Sequence, residues 1–422
     1  MDVPGRYRRF ALNEAAKHSE IYADWALHVA DDRQICSLIA GLPPEKRQPN
    51  LLFACARLVG AQPGPYANLR RILVDQWDAV AAQIAVRSTQ TNEPARDAIL
   101  LPLWAQLPEP LFLIELGAAA GLGLHPQAWR YRYESAGRTP DRRPGVPGQQ
   151  PSHAPETAAG TTPEMVAATT REPAGTTPET AAGTTREPAG ATSGPATTTP
   201  EVVSGTTSAP AGATSGATVV VEGGRHMGSS PELMPYPAGE FVVQVRPASV
   251  GHFSMPDHMP RIAGRVGVDR TSLDPRDADA QAWLRTLIWP EQTERLTTLK
   301  TALQVASADP VPVLSGDLTD PTLLERLLAL APAGSTPVIW HSAVLAYLAE
   351  SDRAVLEERL RALVRAGRAH WISYEGQQVV PGIWARVLSQ PPWRAALRRG
   401  AFVVSLGGEP CYQADGHARW IR

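Results

Sequence analysis

The sequence predicts an α/β protein with a mostly parallel sheet, a helical N-terminal region and one long insert. In residues 1–107 the apolar side chains recur at steps of three and four, which is typical of amphipathic helices. After residue 107, short apolar runs alternate with helical stretches, and this alternation indicates parallel strands joined by helices. Residues 137–235 interrupt the pattern with a composition rich in Thr, Ala, Pro and Gly. We therefore expect a helical cap over residues 1–107 and an α/β domain over residues 108–422, interrupted by the insert.

Five short apolar runs are the expected parallel strands, because strands buried on both faces are nearly continuous in apolar residues. They cover residues 111–116, 263–269, 311–317, 337–341 and 369–375. Helices are expected at 277–305, 321–331 and 351–366, and one extra strand at 240–246. An apolar run at 402–406, the pair Gly407-Gly408 and a strand ending at Ile421 predict a terminal antiparallel hairpin.

The insert contains a repeat: residues 161–175 recur as residues 176–190 with 12 of 15 positions identical. A sequence repeat of fixed length raises the question of a solenoid fold. Here the repeated unit has almost no large apolar side chains, so it cannot bury a core. We therefore expect the insert to be disordered.

Composition and charge exclude several classes of protein. The 422 residues carry a net charge of −2, which predicts neither nucleic acid nor an anionic membrane as a partner. The three cysteines, Cys36, Cys55 and Cys411, have no CxxC spacing, so neither a disulfide framework nor a metal site is expected. The first twenty residues lack an apolar core, and no uncharged apolar run is long enough to span a membrane. A soluble cytoplasmic protein is the expectation; the oligomeric state is left open.

A glycine motif follows the first predicted strand. Glu115, Gly117 and Gly121 form the pattern E-x-G-x-x-x-G, which is expected to open a helix. The dinucleotide fingerprint G-x-G-x-x-G fails, because Ala119 stands where its second glycine belongs. The pattern instead matches the first motif of methyltransferases that use S-adenosyl-L-methionine (SAM), where glycines leave room that a Cβ would fill. A tight turn between strand and helix, without a ligand, is the alternative.

Two aspartates end the next two predicted strands. Asp269 could accept hydrogen bonds from ribose hydroxyls, and Asp317 could meet an adenine amino group. Each could equally be a turn or helix cap. Because the carboxyl ends of parallel strands share one edge, we expect both to lie near the glycines. The sequence thus predicts a Rossmann-like SAM-methyltransferase fold with SAM as cofactor.

Two further residues end the fourth and fifth strands and are the candidate catalytic groups. His341 has an unperturbed pKa suited to a general base that removes a proton from a methyl acceptor. Glu375 is the second candidate. The alternatives are a histidine bonded to a neighbouring loop and a surface glutamate.

The N-terminal region contributes candidate substrate-binding residues, which share hydrogen-bonding side chains on predicted loops. They are Arg47, Gln48, Asn50, Arg87, Gln90, Asn92 and Glu93. If these loops cover the strand ends, they could bind a small polar or anionic acceptor. Helix capping and hydrogen bonds between domains are the alternative. Tyr131 and Tyr133, expected on the helix after the glycine motif, are interpreted as packing residues.

Several segments together resemble one family, the DUF2332 proteins of bacteria, which have no assigned biochemical role. The segments are Lys46–Phe53, Arg87–Glu93, Gly117–Leu124 with Tyr131–Tyr133, Trp283–Arg285 with Ile288–Leu296, and Trp340–Leu348. The resemblance implies a methyltransferase-like fold and no particular substrate. Two stretches depart from the family pattern: Ala119 and Gly123 replace a serine and an asparagine, and Arg270-Thr271-Ser272 replaces Leu-Asn-Pro.

The function predicted from these observations is transfer of a methyl group from SAM to an unknown small polar acceptor. A non-catalytic protein that binds SAM or a nucleotide is the second hypothesis. An interaction module without a ligand is the third, because fold alone does not determine function.

Overall fold

The computed structural model describes residues 2–90, 93–135, 218–223, 237–246, 251 and 253–422. The predicted insert lies mostly outside these residues. The described residues belong to one compact unit, which is an α/β protein with a largely parallel sheet.

The N-terminal residues are helical, as predicted. The helices are α1 (Val3–Phe10), α2 (Glu20–Asp31), α3 (Arg33–Ala40), α4 (Pro49–Val59), α5 (Tyr66–Asp75), α6 (Trp77–Val86) and α7 (Asp97–Trp104). A π-helical turn, Ala11–Ala15, follows α1. The start of α2 is capped by Ser19, whose hydroxyl accepts from the Tyr22 amide, and the start of α3 is capped by Asp32. Helices α1 to α6 share a buried aromatic core that includes Tyr22, Trp25 and Phe53, whereas α7 belongs to the core beside the sheet.

The described strands form one sheet. They are β1 (Leu111–Leu116), β2 (Arg130–Ser135), β3 (Thr218–Glu222), β4 (Glu240–Val245), β5 (Ile262–Asp269), β6 (Val313–Ser315), β7 (Thr336–Ser342), β8 (His370–Gly376), β9 (Phe402–Leu406), β10 (Glu409–Ala414) and β11 (Trp420–Ile421). Their order across the sheet is β3-β2-β4-β11-β10-β9-β8-β7-β1-β5-β6.

Five neighbouring strands, β6, β5, β1, β7 and β8, are parallel to one another. The chain moves outward from β1 to β5 and β6 on one side, and later to β7 and β8 on the other. All five correspond to predicted strands. Leu113 and Ile114 of β1 have no exposed surface and face two different apolar clusters, since successive side chains point to opposite faces of the sheet.

The remaining strands confirm two predictions and correct two others. The hairpin of β9 and β10 turns at Gly407 and Gly408, both with positive φ, and β4 is the predicted extra strand. Residues 218–222, assigned to the insert from the sequence, form β3 because a valine run pairs with β2. Tyr131 and Tyr133 lie in β2 rather than on a helix, although both are buried packing residues, as expected.

A second group of helices packs on the sheet. They are α8 (Ala278–Leu287), α9 (Thr293–Ala308), α10 (Leu323–Leu328), α11 (Glu350–Arg365), α12 (Pro381–Ser389) and α13 (Pro391–Ala396). The helix predicted over 277–305 is broken after Leu287, since Pro290 cannot donate to a helical hydrogen bond. No helix among the described residues is long and apolar enough to cross a membrane.

Candidate functional site

The glycine motif forms a tight turn at the carboxyl end of β1. Gly117, Ala119 and Gly121 have positive φ angles of 80°, 50° and 70°. The Gly117 amide donates to the Val268 carbonyl of β5 at 2.8 Å, which ties the turn to the neighbouring strand. A 3₁₀ turn, Leu122–Leu124, follows in place of the predicted α-helix. The residue before Pro126 is disfavoured in helical geometry, so the chain enters a second short turn instead.

Both glycines of the motif pack against side chains in this conformation. A Cβ on Gly117 would overlap the side chain of Val344, which follows β7. A Cβ on Gly121 would lie 3.1 Å from Cγ2 of Val313 in β6. The space beside Gly117, where the sequence suggested a ligand, therefore holds Val344.

The two aspartates at the strand ends both make turn contacts. Asp269 accepts from the Ala119 amide at 2.9 Å and from the Thr271 amide at 2.8 Å, so it fastens the glycine turn. Asp317 accepts from Thr319 and forms an exposed ion pair with Arg270. Hydrogen bonds from Thr319 and Arg270 lower the pKa of Asp317. Asp269 thus lies at the glycine turn, whereas Asp317 lies one strand further out.

Glu115 is half-buried at the end of β1, and its Oε2 is inaccessible and has no hydrogen-bond partner. Burial, with the nearby negative charge of Asp269, raises its pKa well above the usual range, although Arg96 opposes the shift. A Cβ on Gly123 would lie 3.2 Å from Oε1 of Glu115. The glycine at position 123 therefore lets the backbone approach this carboxyl group.

His341 and Glu375 form a buried pair. His341 Nδ1 lies 2.8 Å from Glu375 Oε1, and the indole N–H of Trp371 donates to His341 Nε2 at 3.1 Å. Since the indole is only a donor, Nε2 is unprotonated and Nδ1 carries the proton. The ring has no exposed surface, so neither nitrogen is open to a substrate. This geometry agrees with the alternative of a histidine bonded to its neighbours and does not favour a general base.

Glu375 holds the loop after β7 rather than lying on the surface. The same Oε1 also accepts from the amides of Val344 and Leu345, each at 3.1 Å. Ala343, which precedes them, has a φ of 53°, a strained value for alanine. Glu375 therefore positions Val344, the residue that packs on Gly117.

The predicted substrate-binding residues differ in their surroundings. Gln90 reaches the strand-end edge, where it donates to the Thr271 carbonyl at 2.8 Å, and Glu93 lies there with Arg295.

Three of the predicted residues make the capping and interlayer contacts that were the alternative. Arg47 donates to the carbonyls of Ala40 and Leu42, Gln48 to that of Glu45, and Arg87 to the side chain of Asp279. Asn50 has a buried Oδ1 without a partner, and Asn92 lies outside the described residues.

Sequence reasoning missed three residues at this edge. Arg96 donates to the carbonyls of Ser342 and Gly416, which joins the N-terminal region to the loops after β7 and β10. Asp97 has no exposed surface, and neither of its carboxyl oxygens has a hydrogen-bond partner. The sequence signal was an arginine-aspartate pair directly before six apolar residues, Ala98–Leu103, which reads as an ordinary charged helix start.

The third missed residue, His417, lies opposite Glu93. Its Nδ1 is 3.6 Å from Oε2 of Glu93, and Glu93 also accepts from Nε of Arg295 at 2.9 Å. Burial alone would raise the pKa of Glu93, but Arg295 and His417 lower it to about 2. Burial lowers the pKa of His417. The result is an ionised carboxylate between two nitrogen groups.

A separate cleft of about 350 Å³ opens near the amino ends of β1 and β5, away from the glycine turn. It is lined by residues of β3 and by Asp257–Arg261. His258 lies between Asp257 and Glu109, and hydrogen bonds to these two carboxylates raise its pKa. The described residues contain no group of three or more His, Cys, Asp or Glu side chains that could hold a metal ion.

Comparisons with known proteins identify a family but no function. No curated protein and no solved structure matches the chain. One family model, described as "Uncharacterized protein conserved in bacteria (DUF2332)", matches residues 5–175 and 234–422. Since this match covers most of the chain, the protein belongs to the DUF2332 family.

Proposed function

We propose that this protein binds SAM at the glycine turn and transfers its methyl group to a small polar acceptor. The observation that carries the proposal is the strand order around β1. Numbered by their order along the chain, the five parallel strands run 3-2-1-4-5, which is the order in Rossmann-type sheets. In such sheets ligands bind beyond the carboxyl ends of the strands, at the point where the strand order reverses. The glycine turn follows β1, the strand at that point.

The residues at this point match part of the chemistry of SAM. Two carboxyl groups, those of Glu115 and Asp269, lie beside the turn, and SAM carries a sulfonium and an ammonium group that would favour the ionised form of Glu115. Asp269, which accepts a hydrogen bond from the Ala119 amide, also lies at the end of β5, where ribose hydroxyls are bound in Rossmann-type sites. Val344 fills the space beside Gly117, so binding requires this side chain to move.

SAM supplies the methyl group, and the protein's part in the transfer is alignment. An acceptor lone pair must approach the methyl carbon opposite the breaking C–S bond, and correct positioning supplies much of the rate enhancement. Gln90 and Glu93 lie at the same edge and are the residues proposed to hold a polar acceptor. His341 has no free nitrogen in this conformation, so the proposal assigns it no proton transfer.

A second candidate function is binding of SAM or a nucleotide without catalysis. The burial of His341 favours it, because this histidine has no ring nitrogen exposed to an acceptor. Regulation by the bound ligand is then the expected role.

Isothermal titration calorimetry with SAM and with S-adenosylhomocysteine tests the proposal. Wild-type protein should bind both, and Asp269→Asn should weaken both by about tenfold, since a charge-assisted contact is lost. Asp320→Asn is the matched control, because Asp320 likewise accepts from the amide two residues later but lies outside the site. If wild type binds neither nucleoside, the proposed function is wrong.

A transfer assay separates the two candidate functions. The protein is incubated with SAM carrying a labelled methyl group and a bacterial small-molecule extract, and labelled products are separated. A labelled product that disappears with Asp269→Asn supports the methyltransferase. Binding by calorimetry without any labelled product supports the non-catalytic alternative.

A further inference from the structure

The N-terminal end of α7 buries a carboxyl group that has no visible partner. Asp97 has no exposed surface, and neither Oδ1 nor Oδ2 has a hydrogen-bond partner in the structure. Its place in the first turn of α7 offers the helix dipole as compensation. The free-energy cost of burying an unpaired carboxylate exceeds this compensation, so the dipole alone does not account for Asp97.

The turn directly before Asp97, Pro94–Arg96, packs on the turn Leu122–Leu124, and Gly123 of that second turn borders the carboxyl group of Glu115. Burial, followed by the charge of Glu115, raises the pKa of Asp97 well above its usual range. The charges that act on Glu115 are those of Asp269 and Arg96. Arg96 does not satisfy either carboxyl group, because its hydrogen bonds go to backbone carbonyls of Ser342 and Gly416 and its guanidinium lies over the ring of Tyr374.

Two tryptophans complete the surroundings. The rings of Trp104 and Trp340 meet edge to face at 5.9 Å, and each has a buried indole N–H without a partner. A Cβ on Gly123 would lie 3.0 Å from Cη2 of Trp340 and 3.2 Å from Oε1 of Glu115. The Glu115 carboxyl group and the Trp340 ring therefore border the same glycine. Aromatic faces attract cations, and buried unsatisfied polar groups indicate a missing partner.

We infer that Asp97 and Glu115 together form a site for a positively charged group of a ligand, a sulfonium or an ammonium. The identity of the ligand as SAM rests on the proposed function, but the cation site itself does not. Two carboxyl groups that share a low-dielectric region resist double ionisation. A cation bound between the two carboxyl groups stabilises their doubly ionised form. Binding therefore releases a proton and becomes tighter as the pH rises.

Thermal unfolding with a minimal cation tests the site directly. Full-length wild type, Asp97→Asn and Glu115→Gln are melted in trimethylsulfonium chloride and in sodium chloride of equal ionic strength. The sulfonium salt should raise the Tm of wild type and leave that of both variants unchanged. Asp320→Asn and Glu325→Gln, which alter exposed carboxylates, should respond like wild type.

Without added cation, Asp97→Asn should melt no lower than wild type, since a neutral amide replaces an unpaired acid. If the sulfonium salt then fails to raise the Tm of Asp97→Asn, the reason is loss of the cation site and not loss of the fold. The cation site is refuted if trimethylsulfonium gives no selective rise in the wild-type Tm, or an equal rise in wild type and Asp97→Asn.

Calorimetry with three nucleosides then identifies the charged group. SAM carries sulfonium and ammonium, S-adenosylhomocysteine only ammonium, and 5′-methylthioadenosine neither. If the pair holds the sulfonium, wild type prefers SAM to S-adenosylhomocysteine by about tenfold and Asp97→Asn loses that preference. If it holds the ammonium, Asp97→Asn loses the preference for S-adenosylhomocysteine over methylthioadenosine.

Proton release, measured by repeating the SAM titration in buffers of different ionisation enthalpy, should be present in wild type and reduced in Asp97→Asn. If the nucleosides bind but Asp97→Asn changes neither preference nor proton release, the inference is wrong and the proposed function stands. If no nucleoside binds, the proposed function is wrong and the trimethylsulfonium experiment alone decides the cation site.

Discussion

At the scale of single residues, the carboxyl groups at the strand-end edge differ in pKa because the charged groups around them differ. Glu93 faces Arg295 and His417, and its pKa falls to about 2 despite burial. Asp97 has no hydrogen-bond partner, and burial together with the like charge of Glu115 raises its pKa. Residue type alone could not distinguish these cases, because the deciding charges are distant along the chain.

The pH dependence of stability should report the state of Glu93. Its pKa is lower in the folded protein than in the unfolded chain, so its stabilising contribution is present above about pH 4.5 and is lost as the pH falls toward 2. Glu93→Gln should therefore lower the free energy of unfolding at pH 7 by on the order of 3 kcal/mol, with a smaller effect near pH 2 to 3. Urea denaturation at several pH values measures this.

Glu358→Gln is the control for Glu93→Gln, since Glu358 forms an exposed pair with Arg365. Its effect should stay within about 0.5 kcal/mol at all pH values. A difference between wild type and Glu93→Gln that does not change with pH would contradict the assigned ion pair.

At the scale of elements, the loop after β7 depends on one acceptor atom in β8. Oε1 of Glu375 accepts from His341 and from the amides of Val344 and Leu345. The sequence correctly indicated that Glu375 and His341 end neighbouring strands. It could not show that they bind each other, because that depends on the register in which β7 and β8 pair.

Replacing Glu375 by Gln should destabilise this loop. Glutamine carries no charge, so the hydrogen bonds to this side chain are weaker. Its NH2 group would take the place of Oε2, which is buried without a hydrogen-bond partner. We therefore expect the free energy of unfolding to fall by about 1–3 kcal/mol. Guanidinium denaturation measures the change, and hydrogen exchange of the Val344 and Leu345 amides should speed up. Glu325→Gln, at an exposed pair with Arg368, is the matched control. Unchanged exchange at both amides would show that Glu375 does not hold the loop.

At the scale of the whole molecule, helices α1 to α6 pack against α8 of the α/β part. Trp283 of α8 is buried in the cluster formed by the N-terminal helices. Arg57 of α4 donates to the Tyr22 hydroxyl and to the carbonyls of Thr286 and Ile288 at the end of α8. Helices α1 to α6 are therefore joined to the α/β part through α8.

Arg57→Ala should weaken this joint. Two carbonyl oxygens lose a charged donor, so we expect the free energy of unfolding to fall by about 2–4 kcal/mol. Hydrogen exchange should increase in α2 and α4 more than in β1 and β7. Arg71→Ala, at an exposed arginine, should change stability by less than about 0.5 kcal/mol. Equal increases in the helices and the sheet would contradict a local joint and indicate global destabilisation.

The sequence by itself determined the helical N-terminal region, the five parallel strands, the terminal hairpin and the glycine turn that follows the first strand. These features follow from periodicity, apolar runs and glycine, all of which act between near neighbours in the chain. Only the tertiary structure decided that His341 is enclosed, that Val344 packs on Gly117 and that Asp97 is buried without a hydrogen-bond partner. Those contacts join residues far apart in the chain, and the burial and charge that set their chemistry exist only after the chain has folded.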